Sequence, residues 1–274
     1  MALSNHSARV LVSIIAIPFI LAVTYIGKLF FFIFVLAIGL ISFYEFSGLL
    51  KSKGSNPDIW LGYAGVILLI TSNYIFWADT LSIFILFVVI VSAIELFRNS
   101  GSALYNIGGL LLATLYVGFF AGSLVGIREF YPRIGDLYLH GGYIIISMLA
   151  SIWLCDSAAY YGGTKFGKHK LFPRVSPKKS WEGAVFGFVF AVIAMIAAKF
   201  LLLEFLNWTA VISFGIIIGI GGQVGDLVES LFKRDANVKD SSALIPGHGG
   251  IFDRFDSLLF TAPLILLYLK FVGR

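Results

Sequence analysis

The chain is poor in charge, cysteine and histidine. Only 13% of its 274 residues are Asp, Glu, Lys or Arg, against about 25% in soluble globular chains. So few charges cannot cover a water-facing surface, which excludes an ordinary soluble domain. One cysteine, Cys155, excludes an intrachain disulfide. Four histidines and that single thiol are too few for a convincing zinc site. The sequence also lacks internal repeats and low-complexity linkers. The net charge of +5 falls in clusters between apolar runs. That pattern suits a membrane surface or a phosphate group better than nucleic acid, and no nucleic-acid partner is expected.

What is present is apolar sequence, 59% of the chain. A spanning helix needs roughly 20 mostly apolar residues. Nine runs approach this, at 10–27, 30–50, 59–77, 81–97, 104–127, 143–162, 183–206, 209–232 and 255–272. The third and fourth are short enough to form a re-entrant pair instead. Runs such as "LFFFIFVLAIGLISF" are continuous rather than alternating, which argues against a β-barrel. The first run has no good small-residue cleavage site after it and reads as an uncleaved span. The expected fold is an all-α integral membrane protein with about nine transmembrane helices. It is divided into an N-terminal region, 1–140, and a C-terminal catalytic region, 141–274.

Lys and Arg placement sets the orientation. Of the 20 such residues, only Lys28, Arg128, Arg133, Lys199, Lys270 and Arg274 fall opposite the N-terminal side. The N-terminus is therefore expected in the cytoplasm and the C-terminus outside, with basic loops near 163–182 and 233–254 both cytoplasmic. Trp60, Trp77, Trp153, Trp181 and Trp208 lie mostly near run ends, as interface anchors do.

Orientation makes depth readable. Asp156 and Asp226 lie about two turns from the cytoplasmic ends of their spans, at about 1.5 Å per residue. The last span begins with Asp253 and Asp256. Four carboxylates from three spans are thus expected at one level, where an acid at helix depth is by default a functional candidate. Snorkelling or a structural ion pair with Lys233 or Arg254 is the plain alternative. Asp253 and Asp256, spaced i, i+3, also complement a helix dipole at its start. For Glu45 and Glu95, near the ends of their own spans, the structural reading is preferred. A hard oxygen cluster of Asp226, Asp253 and Asp256, with Asp240 and Asp156 as weaker members, suits Mg²⁺.

The phosphate-binding candidates surround this cluster. In "PGHGG", Gly249 and Gly250 let backbone N–H groups approach a phosphate. His248 serves equally as a phosphate contact, an acid or a turn residue. Lys233, Arg234, Lys239 and Arg254 flank the glycines. In "SPKKS", Ser176, Lys178 and Lys179 suit an anionic lipid headgroup or a nucleotide triphosphate.

From Ser230, "SLFKRDANVKDSSALIPGHGGIFDRFD" resembles the signature of the phosphatidate cytidylyltransferase family at every position. "CDSAAYYGGTKFG" and "SPKKSWEG" also resemble that family's upstream segments, with Ser180 where Thr is more usual. The specific resemblance covers about 155–257. It implies transfer of a cytidylyl group from CTP to phosphatidic acid, giving CDP-diacylglycerol and pyrophosphate. It also implies Mg²⁺, one or two ions, and work at the cytoplasmic face of a bacterial inner membrane. The catalytic set on this reading is Asp226, Asp253, Lys233, Arg234, His248 and Arg254. The implied partners are CTP, phosphatidic acid and membrane lipid, with a homodimer as the expected assembly. Two rivals stand beside it. A CTP-dependent lipid kinase would use much the same machinery. An ion or proton transporter would use Asp156, Asp226, Glu45 and Glu95, but would need a path to both faces.

Overall fold

A computed structural model describes residues 5–75, 79–242, 244 and 249–272, with side chains from residue 12 onward. His248, Trp77 and Arg274 lie outside the described residues. Among the described residues, each apolar run forms a helix over most of its length. The helices are α1 (Asn5–Ile26), α2 (Lys28–Ser52), α3 (Ile59–Ile75), α4 (Thr80–Phe97), α5 (Ala103–Ala113), α6 (Phe120–Arg128), α7 (Leu139–Phe166), α8 (Trp181–Leu201), α9 (Trp208–Asp235) and α10 (Phe252–Phe271). A π-helical turn, Thr114–Phe119, joins α5 to α6 into one apolar rod. Among the described residues, six helices are long and apolar enough to cross a membrane. Helix α3, with 17 residues, is shorter than that, and α10 opens with Asp253, Arg254 and Asp256 before its apolar stretch.

The basic segment near 163–182 is not a plain loop. Lys170–Phe172 (β1) and Ser176–Ser180 (β2) pair antiparallel, Lys170 opposite Ser180 and Phe172 opposite Ser176. The turn closes where Val175 N–H donates to Phe172 O at 3.1 Å. Strands this short and lysine-rich carry no apolar alternation, so the sequence pattern does not disclose them.

The chain divides into two compact units, neither continuous in sequence. One comprises Met1–Gly126 with Asp235–Arg254, the other Ile127–Arg234 with Phe255–Arg274.

In the first unit, α3 packs on the π-helical turn at very short range. A Cβ on Gly118 would lie 3.1 Å from Val66 Cα, and one on Gly65 would lie 2.7 Å from the Thr114 methyl. Phe46 of α2, Tyr116 of the π-helical turn and Phe252 form a buried aromatic cluster, with ring centroids 5.5–6.0 Å apart. Glu95 is buried against Asn106 (2.6 Å) and Arg98 (2.9 Å). The same Asn106 accepts from Asn56 N–H at 2.7 Å, so this acid ties two interhelical loops together.

In the second unit, small residues at every fourth position set the packing. Ser151, Cys155, Ala159 and Gly163 on α7 meet Ala191, Gly187 and Gly183 on α8. Ser151 Oγ donates to Ala191 O at 3.0 Å. A Cβ on Gly187 would lie 3.0 Å from Cys155 O, and one on Gly183 only 2.7 Å from Ala159 O. Such small-residue rows let apolar helices approach closely where the hydrophobic effect gives no drive. Cys155 thus serves as a small buried packing residue. Helix α9 repeats the device on two sides: Gly215 and Gly219 face α8, and Gly222 and Gly225 face α10. Ser257 Oγ seals the second contact by donating to Gly222 O at 2.9 Å.

Candidate active site

The close approach of α9 and α10 determines where the acids meet. A Cβ on Gly225 would sit 3.1 Å from Asp256 O. Its neighbour Asp226 therefore faces Asp256. Glu229, one turn along α9, completes the group, and one carboxylate oxygen each from Asp226, Glu229 and Asp256 lies within 4.8 Å of the other two. Glu229 is only 1% exposed. It did not figure among the acids expected from sequence, and its i, i+3 spacing from Asp226 was the available signal.

Three carboxylates so close repel one another unless cations answer them. Two ammonium groups do so. Lys179 Nζ lies 2.6 Å from Asp226 Oδ2, and Lys233 Nζ lies 2.7 Å from Glu229 Oε2. Lys179 is delivered by β2, whose last residue, Ser180, caps α8 by accepting from Gly183 N–H at 3.2 Å. The other strand is fastened at the same helix start. Glu182 accepts from the N–H groups of Lys168 (3.0 Å) and His169 (3.2 Å), and from the His169 ring at 2.6 Å. Arg234, at the far end of α9, donates from Nε to Val175 O at 3.3 Å, so the hairpin touches both helices. Asp156 is exposed on α7 and, with Lys179, interacts electrostatically with Asp256. Lys178 is exposed and Ser176 half-buried on β2.

The rest of the signature lies in the first unit. Gly249 has φ +81°, a region that side chains avoid. A Cβ on Gly250 would run into Ser241 Oγ and into the Glu45 carboxylate, 2.5 Å away. Asp253 accepts from Ser241 N–H at 3.1 Å and from Gly250 N–H at 2.8 Å. Lys239, Asp240 and Arg254 are exposed. Glu45, read as structural from the sequence, accepts four hydrogen bonds. These come from Ser241 Oγ (3.2 Å), Ser242 Oγ (2.5 Å), Ile251 N–H (3.1 Å) and Phe252 N–H (2.7 Å).

The structure thus groups Asp226 and Asp256 with Lys179 and Lys233, and adds Glu229. Separately, it groups Asp253 with Gly249 and Gly250, and adds Glu45.

This arrangement defines a class of protein: apolar helices locked by glycine rows, with carboxylates and ammonium groups concentrated where they meet. The chain belongs to the Cytidylyltransferase family, whose pattern it matches over residues 7–272. Among similar proteins is the phosphatidate cytidylyltransferase of Staphylococcus haemolyticus, 35% identical over 95% of this chain and 98% of that protein. The phosphatidate cytidylyltransferase of Bacillus subtilis is 32% identical over 95% and 96%. That of Haemophilus influenzae is 42% identical, over 57% of this chain and 54% of its own.

Proposed function

We propose that the protein transfers a cytidylyl group from CTP to phosphatidic acid, releasing pyrophosphate and leaving CDP-diacylglycerol in the membrane. The observation that carries this reading is the Asp226–Glu229–Asp256 cluster with lysines laid across it, in a chain of this family. Carboxylate oxygens this close suit a hard cation, and Mg²⁺ usually takes one or two carboxylates plus substrate phosphates. Asp226, Asp256 and Glu229 would hold it. Asp253 keeps the ligand role that the signature implies, although its Oδ2 already accepts from both Ser241 N–H and Gly250 N–H. When bound, Mg²⁺ supplies neutralisation of triphosphate charge.

The remaining work falls to the chain's own groups. No protein nucleophile is needed: an oxygen of the lipid phosphate forms the new bond to the CTP α-phosphorus, and the bond to the bridging oxygen of pyrophosphate breaks. Lys179 and Lys233 exchange their carboxylate partners for phosphate oxygens and so hold the CTP triphosphate in place. Arg234 holds the departing pyrophosphate, and Lys239 and Arg254 keep the phosphate-binding role that the signature implies. Lys178 and Ser176, presented on β2, meet the lipid phosphate at the membrane surface.

The same reading sets the protein in the bacterial inner membrane with about nine spans, its N-terminus and both basic segments in the cytoplasm. Three of the six basic residues on the opposite side support that orientation, because local partners already hold them. The Arg128 guanidinium donates to Tyr138 O at 2.8 Å, Arg133 pairs with Glu129 at 2.6 Å, and Lys199 donates to Leu206 O at 2.6 Å.

The deciding experiment uses purified protein, phosphatidic acid, Mg²⁺ and CTP labelled at either end. Label from α-³²P CTP should enter a lipid, and label from γ-³²P CTP should appear only in pyrophosphate. The reverse pattern would replace cytidylyl transfer by lipid phosphorylation.

A further inference from the structure

We infer that Glu45, from the N-terminal helix α2, is a positioning residue that closes the signature segment and fixes the start of α10. The inference rests on the functional reading above for its kinetic consequence, but its structural core stands alone.

The Glu45 carboxylate is filled on every side. Oε1 accepts from Ser242 Oγ and Ile251 N–H, and Oε2 from Ser241 Oγ and Phe252 N–H. A carboxylate offers about four lone-pair sites, and all four are used. No capacity remains for a metal or a substrate proton, so the group acts by holding. It joins two chain positions that are ten residues apart: Ser241–Ser242 on one side and Ile251–Phe252 on the other. Asp253 reinforces the closure from Ser241 N–H to Gly250 N–H. Phe46, next to Glu45, and Tyr116 then clamp the Phe252 ring. Glu45 is only 3% exposed, and a negative charge at a helix start is matched by the dipole and by unpaired N–H groups there. Gly250 must be glycine for this, since any Cβ would strike the Glu45 carboxylate.

The consequence for turnover is specific. If the segment is released, CTP must reorder it on binding. The apparent affinity then drops by the fraction of molecules already closed, while the saturated complex is restored. Glu45→Gln tests this without changing shape. Its single carbonyl oxygen serves one pair of donors, and its NH₂ group confronts the other pair.

Two readouts are measured on the same preparation in detergent or nanodiscs. Hydrogen–deuterium exchange should quicken about 10-fold or more in peptides covering 239–242 and 249–254, and remain unchanged in α7 and α8. The KM for CTP should rise about 10-fold while kcat and the KM for phosphatidic acid stay within about 2-fold. Unchanged exchange in those two peptides would overturn the inference. So would exchange that quickens throughout the protein with kcat lost and KM for CTP constant, the mark of a general stabiliser. Glu45→Asp, one methylene shorter, should lie between wild type and Glu45→Gln in both readouts, and a wild-type exchange pattern in both variants would also overturn it. Should the wild-type protein fail to transfer cytidylate, the exchange arm still decides the role of Glu45, and only the functional reading falls.

Discussion

Asp226, Glu229 and Asp256 share their surroundings with two lysines, whereas Glu45 is answered, among the described residues, by backbone N–H groups and serine hydroxyls. The chemistry of the partner decides what each carboxylate can do. A lysine ammonium is a compact charge on a long flexible stem. It can move from a carboxylate to an incoming phosphate, which leaves the carboxylate oxygens available to a cation. A backbone N–H cannot move without moving the chain. Carboxylates of the first kind are exchangeable, and those of the second kind fix shape.

The sharpest way to break this comparison is to neutralise an exchangeable acid. Asp226→Asn keeps the size of the side chain and removes the charge that faces Lys179. We expect kcat to drop about 10²-fold or more, on the scale of lost electrostatic stabilisation at a reacting centre. Size-exclusion behaviour and helical content should be unchanged. Near-normal kcat at saturating Mg²⁺ would remove Asp226 from the mechanism and leave the ion pair as a structural one.

Asp253 sharpens the comparison because it belongs to both kinds. It lies in the signature, yet Ser241 and Gly250 occupy it with backbone N–H groups. Asp253→Asn should therefore lower kcat on a scale similar to Asp226→Asn and also raise the KM for CTP, as Glu45→Gln does. A change in KM alone would assign Asp253 wholly to shaping the segment. Initial-rate measurements across CTP concentration separate the two outcomes.

Much of this was legible from the residues, and the remainder has physical reasons for being hidden. The apolar runs announce the helices because continuous apolar sequence in lipid must satisfy its own backbone. The run at 143–162 extends to Leu139–Phe166 because both flanks remain helical, Gly141 packing on the Ile127 and Arg128 carbonyls and Gly163 on Gly183 of α8. Asp226 and Asp256 stand out as acids in greasy surroundings. Glu229 was hidden because it sits one turn beyond Asp226, close to a helix end where a surface acid is unremarkable. Glu45 was legible as a structural acid, but what it holds was hidden because its partners are about 200 residues away in sequence. The β-hairpin was hidden because its strands are three and five residues long and mostly polar.

A smaller effect is expected at Lys179, whose proposed work is to transfer between carboxylate and phosphate. Lys179→Met retains the apolar stem and removes the charge. The KM for CTP should rise about 10-fold, by the loss of one charge-assisted contact of roughly 1.5–3 kcal/mol. The salt dependence of that KM should flatten. An unchanged KM would mean that Lys179 stays on Asp226 throughout the cycle.

The smallest effect should come from Glu95, which tests the comparison where chemistry is absent. Like Glu45 it is buried, and like Asp226 it faces a cation, Arg98, but it also holds Asn106, which binds the loop after α2. Its partners are thus all structural. A transporter reading would make it a proton or ion relay and would demand its charge. Glu95→Gln keeps one acceptor and loses the strength of a charged hydrogen bond, costing stability of roughly 1–2 kcal/mol. We expect a lower thermal midpoint, with kcat and both KM values within about 2-fold of wild type. Loss of cytidylyl transfer in a protein that remains folded at the assay temperature would show that charge at Glu95 matters to function. The division drawn here between exchangeable and shape-fixing carboxylates would then fail at its simplest case.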